Sequence, residues 1–132
     1  MFATTLMDQI AAHLDFLGYE TSWGEDRVLF ARHPRHFNLI VKDYAFGVLF
    51  TTFFKVNDKG LSHRNEVHQA VNAYNRLARV CRGYLDKDFD LVVEACFPNY
   101  YDKGVFGSFM DTLNEDLRAL ADESVGLRQF VL

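Results

Sequence analysis

Few residues in this chain could do chemistry, and their spacing decides most of the cases. The run His63-Arg64-Asn65-Glu66-Val67-His68 looks like an inverted zinc-protease motif. That motif needs His-x-x-Glu-His, and Val67 intrudes. On a helix His63 and His68 lie roughly 140° apart, so they cannot share a metal there. Both are expected as exposed helix residues. Asp86-Lys87-Asp88-Phe89-Asp90 carries the first three ligand positions of a calcium loop. The loop's sixth position requires Gly and holds Leu91; its twelfth requires Glu and holds Phe97. An acidic hairpin turn is the expected outcome.

The densest basic group is Arg32, His33, Arg35 and His36 around Pro34. Such a group can bind an anion, or respond to pH near ~6.5 where imidazole titrates. It stands as the anion- or pH-sensing candidate against the plainer reading of a solvated turn. Cys81 shares strand parity with Leu85, whereas Cys96 falls opposite in parity to Leu91, Val93 and Phe97. Cys81 is therefore expected inward and Cys96 outward, both as free thiols. Neither has a His at a spacing that would make it a nucleophile. The chain also lacks a phosphate-binding glycine loop, a Gly-x-Ser-x-Gly elbow, a Cys-x-x-Cys pair and His-Glu-x-x-His. No catalytic residue, metal or cofactor is assigned, and the reading is non-enzymatic.

These residues must be held by a domain of 132 residues, enough for one core and little more. A hydrophobic share of 49% with 24% charged residues excludes a disordered chain. Thirteen Phe, six Tyr and one Trp promise a core built from rings. A net charge of −4 argues against a primary nucleic-acid binder or a binder of anionic membranes. No apolar run approaches the roughly 20 residues of a spanning helix. Met1 to Ile10 has no positive n-region and carries Asp8, so no secretory leader is expected and the chain reads as cytoplasmic. Two cysteines make no disulfide framework.

Leu6, Met7, Ile10, Leu14 and Leu17 mark a first helix, with Thr4 or Thr5 as cap and Gly18 at the exit. The period then changes to two. Val28 and Phe30, then Phe37, Leu39 and Val41, then Ala45 to Val56 read as three strands in an antiparallel meander. Asn57-Asp58-Lys59-Gly60 ends the sheet run. Ser62 is expected to cap a second helix near 63–78, whose stripe is Val67, Ala70, Val71, Tyr74, Leu77 and Ala78. Val80 to Leu85 and Leu91 to Phe97 make a hairpin, and a third helix runs from Asp102 to about Glu123. The apolar tail Val125, Leu127, Phe130, Val131 and Leu132 is expected to pack on the domain. The order α-β-β-β-α-β-β-α makes a single α+β two-layer domain over 1–132, an antiparallel sheet with helices mainly on one face.

Within that order, three stretches carry a resemblance. They are Glu66-Val67-His68-Gln69-Ala70-Val71-Asn72-Ala73-Tyr74-Asn75-Arg76-Leu77, Arg82-Gly83-Tyr84-Leu85-Asp86, and Leu91-Val92-Val93-Glu94-Ala95. Together they resemble the YbjN-like family, bacterial proteins described as sensory-transduction regulators. The resemblance implies a fold shared with type III secretion chaperones. It also implies a binding or regulatory domain, often dimeric, with no catalytic site to carry over.

The run Ala45 to Val56 is apolar on both faces, as in a central strand. The Phe46, Val48, Phe50 and Phe54 side is the larger, so the helices are expected there. Leu49 and Phe53 then lie on the outer face as the candidate interaction surface, and an uncovered patch of this kind invites association. The expected partner is protein: a second copy in a homodimer, or a captured segment. The competing reading is a small-ligand or enzymatic pocket under the aromatic sheet.

Overall fold

The computed structural model describes residues 5–131; Met1–Thr4, including one of the two expected caps, and Leu132 of the tail lie outside them. Helix α1 (Leu6–Phe16) starts at Thr5 with a reciprocal cap. Thr5 Oγ1 accepts from Asp8 N at 3.1 Å, and the Asp8 carboxylate accepts from Thr5 N at 3.3 Å. Hydrogen bonds from Thr5, then the Arg27 guanidinium, hold the Asp8 carboxyl below its ordinary range. The helix ends where Gly18 turns left-handed (φ +95°).

Strands β1 (Glu20–Trp23), β2 (Leu29–Arg32), β3 (Leu39–Tyr44) and β4 (Gly47–Phe54) follow as an antiparallel meander. The chain then crosses through α2 (Asp58–Ser62) and α3 (Arg64–Leu77) to β5 (Arg82–Leu85), and returns by a hairpin to β6 (Leu91–Pro98) beside β4. The sheet order is β1-β2-β3-β4-β6-β5. Helix α4 (Lys103–Arg118) is capped by Asp102, whose Oδ1 accepts from Val105 N at 2.9 Å. A short α5 (Arg128–Val131) closes the described chain.

The expected α+β order holds, with a strand added ahead of the three. β1 carries Glu20, Thr21 and Ser22 before its single large apolar residue, so alternation could not show it. It is an edge strand, formed by its backbone ladder to β2. The expected cap at Ser62 is corrected: its hydroxyl donates to Asp58 O at 2.9 Å within α2, and α3 begins after His63. The 57–60 break is itself helical, because Asn57 Oδ1 accepts from Gly60 N at 2.9 Å and caps α2. A Cβ on Gly60 would lie 2.4 Å from Val56 Cγ1 and 3.3 Å from Phe130 Cβ, so this tight crossing requires glycine.

The core lies between the sheet and the helices. Leu29, Ala31, Leu39, Val41, Val48, Phe50, Val93, Ala95 and Phe97 face it from the strands. Ile10, Leu14, Val67, Tyr74, Phe106, Met110, Leu113 and Leu117 meet them from the helices. Two polar side chains position the far edge. Asn75 binds both backbone groups of Gly83 on the edge strand β5, accepting from its N at 2.7 Å and donating to its O at 3.0 Å. The buried Asp116 carboxylate accepts from the N–H groups of Arg79, Val80 and Cys81 at 2.8–3.0 Å, fixing the passage from α3 to β5. The tail packs on its own domain: Val125, Leu127 and Phe130 are buried, and Asn57 binds the carbonyls of Gln129 and Phe130 at 2.8 Å.

Candidate functional site

Antiparallel partners point to the same side of a sheet, so the register assigns the helix-free face directly. Along one row it carries Phe53, Val92 and Tyr84; along the next, Phe30, Ile40, Thr51, Glu94 and Arg82; then Lys42, Leu49 and Cys96. Phe53 is 54% exposed, Phe30 and Tyr84 are exposed on the same face, and Tyr44 is exposed toward the other end of β4, whereas Leu49 is 8% exposed. A cleft of about 300 Å³ opens between Phe30, Arg32, Asn38, Ile40 and Phe53. Arg82 forks onto Glu94 Oε1, with Nε at 3.0 Å and Nη2 at 2.6 Å, so the buried carboxylate of β6 is paired from the edge strand β5.

Leu49 and Phe53 thus lie on the outer face, and Val48, Phe50 and Phe54 face the helices, with Phe54 edge-on to Phe37 at 5.3 Å. Phe46 is corrected. It is 91% exposed, because the chain reverses through Ala45 and Phe46 between the paired residues Tyr44 and Gly47. Ala45 takes φ +48° in that reversal, and strand parity no longer applies. Phe30, Tyr44 and Tyr84 were not singled out on this face. Their signal was present for Phe30, since Leu29 and Ala31 share the opposite parity.

The basic group divides. Arg32 belongs to the outer face, Arg35 and His36 line a cleft against α4, and His33 lies beside the end of α1. The His33 and His36 rings lie 4.3 Å apart, and both meet the ring of buried Tyr19, at 4.8 and 6.1 Å. His33 Nδ1 accepts from Arg35 N at 3.0 Å and its Nε2 lies 3.3 Å from Leu17 O, which assigns the ring proton to Nε2. Burial, then His33, Arg118 and Arg35, push the pKa of His36 down.

His63 Nδ1 lies 2.8 Å from Lys59 O at the junction of α2 and α3, and His68 is edge-on to Phe89. The two imidazoles serve different contacts. Asp86 Oδ1 accepts from the N–H groups of Asp88 and Asp90 at 2.9 and 3.0 Å, so this acidic run is a self-bonded turn. Cys81 is buried, its thiol pushed up to about 12 by burial and then by Asp116; Cys96 is exposed. Between the sheet and α4, Phe50, Phe97, Phe106 and Phe109 pack at centroid distances of 5.1–6.2 Å.

No helix among the described residues is long and apolar enough to cross a membrane. No family model matches the chain, and no curated protein matches it. Among solved structures, the crystal structure of YbjN, a proposed transcription regulator from E. coli, aligns with 100% of this chain and 99% of its own at 17% identity. The TM-score is 0.73. The sequence likeness over 66–95 and this full-length structural likeness agree: the chain has the YbjN-like fold.

Proposed function

We propose that this chain is a non-catalytic, cytoplasmic interaction or regulatory module that pairs with a second copy of itself through the helix-free sheet face around Leu49 and Phe53. One observation carries the reading: Phe30, Phe53, Tyr44 and Tyr84 are all exposed on one side of a six-stranded sheet whose helices cover the other. Exposed apolar area gathered on one rigid face marks an interaction site. Arg32, Lys42 and Arg82 share that face with Glu20 and Glu94, so a two-fold pairing can set opposite charges against each other. The likeness to a proposed regulator supports a regulatory role over a catalytic one. The competing pocket under the aromatic sheet loses weight because the rings of Phe50, Phe97, Phe106 and Phe109 occupy that layer.

Light scattering at high micromolar concentration tests this. A dimer is expected, twice the 15.3 kDa of the chain, and Phe53→Asp returns it to monomer without changing the far-ultraviolet circular dichroism. A monomeric parent that retains a lysate protein through Phe53 makes the occupant a captured segment. A monomer that retains nothing overturns the reading.

A further inference from the structure

We propose that the cleft between the 33–36 turn and α4 binds a tetrahedral oxyanion of the phosphate class through Arg35, His36 and Arg118. The cleft measures about 240 Å³ and is lined by Pro34, Arg35, His36, Phe37, Asn114 and Arg118. Among the described residues no carboxylate lines it. Among the described residues neither Arg35 nor Arg118 takes part in an ion pair, although Arg27, Arg79 and Arg82 all do. Two guanidinium groups and one imidazole therefore converge on one cleft in an acidic protein, with no counter-charge supplied by the described residues.

The surroundings are built. Asn114 is buried at the floor, and its amide meets Tyr19 Oη at 3.2 Å, so floor and wall are braced from α4 and from the start of the sheet. Tyr19 in turn lies stacked on the His36 ring. Guanidinium forks match oxyanions in pairs, which favours phosphate over a single-point anion. Beyond burial, the cationic neighbours of His36 lower its pKa, and an anion bound among them offsets that repulsion.

The groups facing His36 are His33 and Arg35 on its own turn, Arg118 and Asn114 on α4, and Tyr19. His36 is the titratable ring that lines the cleft. Anion affinity rises as pH falls through its titration, since the protonated ring adds a charge and a donor.

The test is titration of the full chain with inorganic phosphate at ionic strength fixed by chloride, read from the His36 and His33 ring signals in NMR. Saturable shifts are expected at both rings, weakened about 10-fold in Arg118→Gln and in Arg35→Gln. Both side chains are exposed, so both variants should fold; either alone decides the matter. Sulfate keeps its charge across the range, and its affinity should rise several-fold from about pH 7.5 to about pH 5.5, an increase lost in His36→Gln. Phenyl phosphate binding more tightly than phosphate identifies a small phosphate ester as the ligand; the reverse identifies the free ion. Shifts reproduced by chloride alone, or variants that titrate like the parent, overturn the proposal.

Discussion

Phe50 and Phe53 stand three residues apart on β4, in the same sheet, and meet opposite fates. Phe50 is 1% exposed and packs against Phe106 and Phe109 at 5.9 and 5.3 Å. Phe53 leaves 54% of its surface open beside Tyr84 and Phe30, with no helix over it. The strand is apolar on both sides, and the Val48, Phe50 and Phe54 side is only modestly the larger. What distinguishes them is where α1, α3 and α4 lie. The inner face is a core that the fold requires; the outer face is apolar surface that the fold tolerates, and that tolerance is what an interaction site needs.

The comparison can be broken at its strongest point first. Phe50→Asp places an unpaired charge in the core and should leave no cooperative unfolding transition, because its cost rivals the whole stability of a small domain. Phe50→Ala should cost about 3–5 kcal/mol in urea denaturation. Phe53→Asp should stay within about 1 kcal/mol of the parent while losing self-association. If the Phe53 variant unfolds and the Phe50 variant only dissociates, the two faces are exchanged.

A second measurement sharpens what holds the inner layer at its far edge. Asp116→Ala leaves the N–H groups of Arg79, Val80 and Cys81 without their acceptor, and should cost about 3 kcal/mol. Asp116→Asn keeps an acceptor without the charge, and should cost about half as much. Equal losses in the two variants would show that the charge contributes nothing.

Acid is a milder probe of the same layer. Burial, then Lys103, lower the pKa of His13, which lies 2.8 Å from Tyr101 Oη through Nδ1. Since the folded state favours the neutral ring, its contribution is complete above the unfolded value of about 6.5 and declines as pH falls from there through the lower folded value. The urea midpoint should fall over that window, and His13→Gln should flatten the decline. An unchanged slope in the variant would assign the acid sensitivity elsewhere, to His36 among others.

The smallest effect touches reactivity alone. In the folded chain one thiol should react with an aromatic disulfide reagent, Cys96, and a second only in denaturant, Cys81. Two fast thiols would contradict the burial of the hairpin's inner side.

Much of this was legible in the residues. Period-3.6 stripes located the three long helices, period-two runs located five strands, and parity alone put Cys81 inside and Cys96 outside. These features are local, and repetition along the chain carries them. The edge strand β1 was not legible, because three polar residues and a Trp make no pattern; its hydrogen bonds to β2 make it. Phe46 was misplaced because parity fails wherever a chain reverses in two residues. The candidate basic cluster shows the same limit. His33, Arg35 and His36 are neighbours in sequence and could be found there, but Arg118 and Asn114 lie about 80 residues away, and only the packing of α4 against the turn brings them to the same cleft. The sequence by itself determined which segments are amphipathic and where they end. The larger apolar side of β4 already pointed to the face the helices cover, but tertiary structure decided which distant residues meet there and at the 33–36 turn, since that depends on where the helices dock.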